Sequence, residues 1–200
     1  GKSICEVLQR MRRGDKPVNI EVAKPIQVEA LDLDAQGIAR LTPDENSIEE
    51  GQSGKVVFIQ GALPTELVTY TITSDKARFS KAKVREILKP AVFRAQPRCA
   101  AFGVCGGCTM QHLDIRAQIA MKQRVLEDDL RHIAKVQPEE ILRPMGGPAW
   151  EYRHRARLSA VNRSIKKGTV LIGFHEGKSG YVADMLSCEI LPKHLSDLLP

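Results

Sequence analysis

The sequence contains the stretch Cys99-Ala-Ala-Phe-Gly-Val-Cys105-Gly-Gly-Cys108-Thr-Met-Gln-His112, which places three of its five cysteines within ten residues. Disulfides are disfavoured in a reducing compartment, so cysteines this close together indicate a metal or cluster site. A fourth thiolate would complete such a site, and either Cys188 or Cys5 could provide it. The spacing alone does not choose between these two.

Three interpretations of the cysteines are open: inert buried thiols, a zinc site and an iron–sulfur cluster. Buried thiols alone would not gather on one glycine-rich loop. Structural zinc usually takes two Cys-x-x-Cys pairs, and here only Cys105 and Cys108 form one. A [4Fe–4S] cluster is wider than a single ion and can be held by a three-cysteine loop with a distant fourth ligand. Gly106 and Gly107 would let backbone N–H groups approach its sulfides. The spacing favours the cluster and leaves zinc open.

On the N-terminal side of the cysteines, short β-branched runs alternate with turn residues. They predict five strands, at residues 26–31, 37–41, 55–59, 67–73 and 81–88. Such a series indicates a small OB-like barrel, a fold whose open face commonly binds oligonucleotides. We therefore expect a leader at residues 1–19, a five-stranded barrel at residues 20–90 and a cluster-binding loop at residues 91–113.

The charge is unevenly distributed over the chain. The formal net charge is +6, yet residues 1–50 carry seven Lys or Arg against ten Asp or Glu. Residues 76–98 instead carry eight basic residues and one acid, Glu86. This local excess predicts a phosphate-facing strip that includes Lys81, Lys83 and Arg85. The alternative is a solvated strand edge, where lysines also guard against aggregation.

On the C-terminal side, apolar residues recur at helical spacing and predict a helix from about 114 to 135, with Asp114 as its N-cap. Its buried face would be formed by Ile115, Ile119, Leu126, Leu130 and Ile133. Residues 152–161 and 169–174 predict paired strands joined by a turn at residues 166–168. The fold class is therefore α+β, in which residues 114–200 form the helix and the start of an incomplete α/β central domain.

Three arginines occupy alternate positions in the first of these predicted strands. Alternation would place Arg153, Arg155 and Arg157 on one face, about 7 Å apart, as a phosphate-binding stripe. The alternative is a set of ion pairs with Glu151, Glu176 or Asp184.

The sequence has no run of eighteen apolar residues and no signal-like N-terminal segment, so we expect a cytoplasmic protein with no membrane partner. The chain starts with Gly1 and ends at Pro200 without a terminal signal. We therefore expect it to be a fragment of a longer protein.

The stretch from residue 99 to 112 closely resembles the signature of the RNA (uracil-C5)-methyltransferases. Residues 34–40 and 57–66 resemble the TRAM domain of that family, an OB-like RNA-binding barrel. Residues 152–159 resemble its central-domain motif, and residues 188–192 the motif of its fourth cluster ligand.

This resemblance implies that Cys99, Cys105, Cys108 and Cys188 bind a [4Fe–4S] cluster, leaving Cys5 outside the motif. It also implies an enzyme that methylates C5 of a uridine in 23S ribosomal RNA with S-adenosylmethionine. We expect the protein to be a monomer. In the family, a cysteine adds to C6 and a general base removes the C5 proton, both from a C-terminal domain. Nothing in this sequence matches that domain. We therefore expect no catalytic residue and no S-adenosylmethionine-binding residue in this chain, which would be inactive alone.

A second hypothesis assigns the chain to a different class. It would be a stand-alone RNA-binding module that carries an iron–sulfur cluster, or zinc, and has no catalytic activity. A reading frame that continues into a methyl-donor domain would favour the enzyme, and a stop codon would favour the module.

Overall fold

The structure, a computed structural model, describes residues 24–41, 54–162, 168, 170–177 and 179–199. The predicted leader, Cys5 and the predicted turn at Lys166 and Lys167 lie outside these residues. Within the described ranges, no helix is long and apolar enough to cross a membrane.

The first part of the described chain forms a curled, mixed sheet of six strands. The strands are β1 (Ile26–Gln27), β2 (Ala30–Leu31), β3 (Gln36–Arg40), β4 (Val56–Gln60), β5 (Leu67–Asp75) and β6 (Phe79–Lys89). Their order across the sheet is β1-β5-β6-β4-β3-β2. The β4–β6 pair is parallel, and the other neighbours are antiparallel.

The first predicted strand is two strands in the structure, because the chain changes partners in its middle. The Val28 amide donates to the Glu66 carbonyl at 2.9 Å, whereas the next amide, Glu29, donates to the Ile38 carbonyl at 2.8 Å. Residues 26–31 therefore contribute to both edges of the sheet. The predicted count of five strands was wrong for this reason, although the other four predicted strands are present.

The concave side of this sheet holds the first hydrophobic core. Val57 and Ile59 of β4 are fully buried, while Phe58 between them is half-buried on the other face. Ala82 of β6 is also buried, and its neighbours Lys81 and Lys83 are exposed. This alternation follows from the two-residue period of a strand and gives the sheet one apolar and one polar face.

A buried ion pair joins the sheet to the segment that leads to the cysteines. Glu66 is fully buried, and its carboxylate accepts hydrogen bonds from Arg94 Nε at 2.6 Å and Arg94 Nη2 at 2.8 Å. The amides of Leu63 and Ala91 also donate to this carboxylate. Burial alone would raise the pKa of Glu66, but these donors outweigh it and lower the pKa. Arg94 is thus a structural residue and does not belong to the predicted basic strip.

A second core lies directly beside this ion pair. It contains Leu31, Ala35, Leu63, Ala91 and Leu113. Met110, Ala117 and Met121 are partly buried against it. Apolar contacts therefore continue from the sheet, through the start and end of the cysteine segment, to the helix that follows.

That helix is α1 (Ile115–Asp129), which continues into a π-helical turn (Leu130–Ala134) and ends at Lys135 with a left-handed φ of 54°. The Asp114 side chain accepts from the Arg116 amide at 2.9 Å, so the predicted N-cap and extent are confirmed. The predicted buried face was wrong. No residue of α1 is buried, and Ile133 is 76% exposed, because residues 135–148 beside it are themselves exposed and form no regular structure.

The last part of the chain contains a two-stranded antiparallel sheet, β7 (Ser159–Asn162) with β8 (Val170–Gly173), and a short helix, α2 (Lys193–Ser196). The predicted strand pair is therefore present, but its first strand begins at Ser159 rather than at Tyr152. The reason is visible at Arg153, whose amide donates to the Ile190 carbonyl at 2.9 Å instead of joining a ladder.

Replacing the buried carboxylate of Glu66 should destabilise the folded protein. Glu66→Ala would leave Arg94 and two buried amides without their acceptor, and we expect a loss of about 3–5 kcal/mol in the free energy of unfolding. Urea denaturation would measure it. Glu29→Ala is the control, because its ion pair with Arg40 is about half exposed and should contribute less than about 1 kcal/mol.

The pH dependence of unfolding provides a second check on the same pair. Since the pKa of Glu66 is lowered on folding, its contribution is present above the pKa of the unfolded chain and is lost as the pH falls through the lowered value. Glu66→Gln should remove this acid-side loss. An unchanged acid limb of the stability curve would contradict the assignment.

Candidate metal centre

The cysteine segment folds back on itself through backbone hydrogen bonds. The Phe102 amide donates to the Cys99 carbonyl at 3.1 Å, and the Cys105 amide donates to the Ala101 carbonyl at 2.9 Å. These two turns bring Cys99 and Cys105 to the same side of the loop. The Gln111 side-chain oxygen accepts from the Cys99 amide at 3.1 Å and thereby ties the end of the segment to its beginning.

All four cysteines of the predicted ligand set line one small cavity. Phe102, Phe174, Met185 and Ile190 contribute to the same walls. The four thiols are free, with Cys188 buried and the others half-buried. The structure therefore brings together the three clustered cysteines and the distant Cys188, as the sequence motif requires.

Cys188 is held in place by contacts on both sides of it. Its amide donates to Ser196 Oγ at 2.8 Å, at the end of α2. Its neighbour Glu189 forms a 2.7 Å ion pair with Arg98, which directly precedes Cys99. Cys188 also belongs to a third hydrophobic core with Ala183, Met185, Ile190 and Leu191, against which Cys105 and Cys108 pack. The two cysteine-bearing segments are therefore joined by both polar and apolar contacts.

The site is an unfavourable place for thiolates without a positive partner. Burial raises the pKa of Cys105, the Gly107 amide opposes that rise, and the nearby cysteines add to it. Burial also raises the pKa of Cys108, although the Gln111 side chain and the charge of Arg153 act in the other direction. Four thiolates that face one another would repel, so their deprotonated forms need a cation to compensate.

Two glycines form a tight cradle between Cys105 and Cys108. A Cβ on Gly106 would lie 2.9 Å from the His175 carbonyl oxygen, and one on Gly107 would lie 2.9 Å from the Phe174 ring. The Gly107 amide donates to the Cys105 sulfur at 3.3 Å. Only glycine permits this approach of the loop to its neighbours, so both glycines are required for the arrangement of the sulfurs.

The donor set has the chemistry of an iron–sulfur ligand set. Four free thiols, an N–H···S hydrogen bond and an apolar surround are features that such clusters use. Within the part of the chain that the structure describes, no three His, Cys, Asp or Glu side chains are grouped so as to hold a metal ion. The four cysteines line one cavity, and their thiols fit the ligand chemistry of an iron–sulfur cluster.

The predicted basic strip occupies the exposed face of β6. Lys81, Lys83 and Arg85 are all exposed and alternate with inward-facing residues. None of the three forms an ion pair with another described residue. Phe58 is paired with Lys81 across the sheet and makes an edge-to-face contact with Phe79, with ring centroids 5.8 Å apart. The face therefore combines three exposed cations with two half-buried aromatic rings.

The three central arginines do not form the predicted stripe. Residues 152–158 are not a strand, so the alternation on which the stripe depended is absent. Arg155 and Arg157 are exposed, whereas Arg153 is half-buried against the cysteine loop. Of the acids in the alternative, Glu151 and Glu176 form no ion pair with these arginines among the described residues.

Sequence reasoning missed several residues that build the site. Gln111 and Ser196 accept hydrogen bonds from the backbone amides of Cys99 and Cys188. Gln111 lies inside the signature stretch but was given no role there, and Ser196 has no recognisable sequence signal. His112 is buried with no hydrogen-bond partner for either ring nitrogen among the described residues, and burial, aided by Arg94, lowers its pKa to about 4. His154 is exposed.

No protein-family model matches the chain. It is 86% identical over 190 residues to a protein of Polynucleobacter necessarius, covering 95% of this chain and 40% of that relative. It is 53% identical to proteins of Burkholderia ambifaria and Burkholderia pseudomallei, covering 92–93% of this chain and 38% of each relative. The chain thus spans about two fifths of the length of the curated relatives it matches.

These matches confirm the resemblance that the cysteine motif indicated: the chain is homologous, over nearly its whole length, to part of the RNA (uracil-C5)-methyltransferases. Each of the three relatives carries the name 23S rRNA (uracil(1939)-C(5))-methyltransferase RlmD.

Proposed function

We propose that this chain is the RNA-binding and cluster-binding portion of a cytoplasmic, S-adenosylmethionine-dependent methyltransferase that acts on C5 of a uridine in 23S ribosomal RNA. The observation that carries the proposal is the cavity lined by all four motif cysteines, in a chain 86% identical to a protein named for that activity. The relatives extend well beyond the aligned portion, so the activity belongs to the longer protein.

In this proposal Cys99, Cys105, Cys108 and Cys188 hold a [4Fe–4S] cluster. Such a cluster, when bound, supplies four positively charged iron sites that compensate four thiolates and cross-link the segments bearing them. Burial and the neighbouring cysteines raise the pKa of Cys105 and Cys108, so their thiolate forms are the ones that positively charged iron would stabilise most. We assign the site a structural role: it fixes the short segment around Cys188 against the loop that follows the sheet.

We further propose that the exposed face of β6 binds the RNA backbone. Lys81, Lys83 and Arg85 follow one another at two-residue spacing, about 7 Å apart, which is close to the separation of successive phosphates in an extended strand. Phe58 and Phe79 lie on the same face, where an unpaired base could stack on them. The exposed Arg155 and Arg157 are secondary candidates for RNA contact.

The chemical step is assigned to residues outside this chain. Methylation at C5 needs a nucleophile that adds to C6 of the uracil and a base that removes the C5 proton. It also needs a flipped-out uridine and a methyl donor. We propose that the nucleophile, the base and the S-adenosylmethionine site belong to the part of the protein that the relatives possess beyond the aligned residues. This chain alone would position RNA and would not methylate it.

Metal analysis after anaerobic purification tests the cluster directly. We expect brown protein with about four irons and four sulfides per chain. Cys188→Ala should lose most of the iron, because three thiolates leave one iron site without a protein ligand. Cys5→Ala is the matched control and should retain the full content. Colourless protein with one zinc per chain would instead identify a zinc site.

Charge reversal on β6 tests the RNA-binding face. Replacing Lys81, Lys83 and Arg85 by Glu should lower affinity for a 23S rRNA fragment. It should also reduce the slope of log affinity against log salt concentration by about two to three, as expected for three lost phosphate contacts. Binding titrations at several salt concentrations would measure both.

The matched control reverses three exposed charges on the helical segment, Lys122, Arg124 and Arg131, which changes the net charge by the same amount. It should leave the salt slope close to that of the unmodified protein. If the two triple variants had equal slopes of log affinity against log salt concentration, the β6 face would not be the surface that contacts RNA phosphates.

A further inference from the structure

Arg153 differs from its two neighbouring arginines in its surroundings. Arg155 and Arg157 are exposed, but Arg153 is half-buried and directed at the loop between Cys105 and Cys108. Its Nη1 donates to the Gly107 carbonyl at 3.5 Å, and its guanidinium carbon lies 5.8 Å from the centre of the Phe174 ring. These contacts distinguish one arginine of the motif from the others.

Phe174 connects these two contacts. Its ring packs so closely on Gly107 that a Cβ there would lie 2.9 Å from it. Arg153 therefore contacts both the glycine that precedes Cys108 and the ring that presses on that glycine. A planar guanidinium suits this position, because it can stack on a ring and donate to a carbonyl at the same time.

The backbone of Arg153 is fixed to the other cysteine-bearing segment. Its amide donates to the Ile190 carbonyl at 2.9 Å, and the Glu151 amide donates to the Glu189 carbonyl at 3.0 Å. Both acceptors lie within two residues of Cys188. Arg153 thus bridges the two segments that carry the four cysteines: its backbone is bound to one and its side chain to the other.

We propose that Arg153 is a positioning residue of the cysteine site, which holds the Gly106–Gly107 turn in place and sets a positive charge beside Cys108. The inference rests on the proposed function, in which the four cysteines bind a [4Fe–4S] cluster. It assigns Arg153 to the cluster site and leaves RNA contact to Arg155 and Arg157.

Two measurable properties follow from this role. Residues that orient metal ligands typically change metal retention by about 10–100-fold when they are replaced. The net charge around an iron–sulfur cluster also shifts its reduction potential, since a nearby cation stabilises the more negative reduced form. A residue that merely fills space would leave the potential unchanged.

The test compares Arg153→Gln, Arg153→Lys and the control Arg155→Gln in the full-length protein, loaded with iron and sulfide under anaerobic conditions. Release of the cluster to an iron chelator is followed by loss of its visible absorbance, and the potential is measured by redox titration. Arg153→Gln should release its cluster about tenfold faster than the unmodified protein and titrate at a lower potential. Arg153→Lys should also release it faster but keep a potential near the original one, because the charge remains. Arg155→Gln should match the unmodified protein in both.

Unchanged release and potential in Arg153→Gln would overturn the inference, as would equal changes in Arg155→Gln. Faster release with an unchanged potential would contradict the placement of the charge beside Cys108. If the unmodified protein takes up no iron and sulfide, the proposed function fails and this inference fails with it. If the unmodified protein takes up the cluster and the Arg153→Gln variant has the same release rate and potential, only the inference about Arg153 fails.

Discussion

Four cysteine side chains from two distant parts of the chain line one cavity, and this convergence joins the segment around Cys188 to the loop that follows the sheet. The segment around Cys188 has little regular structure of its own, apart from the four-residue helix α2. Its position comes from apolar contacts with Cys105, Cys108 and Phe174 and from the Arg98–Glu189 ion pair. The Cys188 amide adds a polar contact by donating to Ser196 Oγ at 2.8 Å, so both packing and hydrogen bonds hold this segment in place.

The buried Glu66–Arg94 pair makes the corresponding connection to the sheet. Because Glu66 also accepts from the Leu63 and Ala91 amides, one carboxylate fixes the turn after β4 and the chain after β6. Arg94 then sets the start of the cysteine segment, while the adjacent Leu113 anchors its end in the second core. Contacts between described residues therefore connect the sheet, which carries the proposed RNA-binding face, to the segment that carries three of the four cysteines.

The sequence predicted those features that depend on residues close together in the chain. β-Branched runs bounded by turn residues identified β4 and β6, and the local excess of Lys and Arg identified the basic strip of Lys81, Lys83 and Arg85, which is exposed in the structure. The Asp114 N-cap identified the start of α1. These succeeded because each is determined by residues close together in the chain. The grouping of Cys188 with the three clustered cysteines needed the family motif, since nothing in its spacing singles it out.

The failures all involve partners that are distant in sequence. The predicted strand containing Val28 divides because the Val28 amide donates to the Glu66 carbonyl, whereas the next amide donates to the Ile38 carbonyl. Arg94 resembles a surface charge until its burial against Glu66 is known. Arg153 lies in an alternating pattern, yet its amide is bound by Ile190 and no strand forms there. The apolar stripe of α1 was predicted to be buried, and none of the residues of α1 is buried.

X-ray absorption at the iron edge of anaerobically purified full-length protein tests the central claim most directly. If the four cysteines hold a [4Fe–4S] cluster, each iron should be surrounded by sulfur and should show a second shell of neighbouring irons, and both signals should disappear in Cys188→Ala. Iron bound by nitrogen or oxygen without an iron neighbour, or a zinc edge with sulfur ligands in place of iron, would contradict the account.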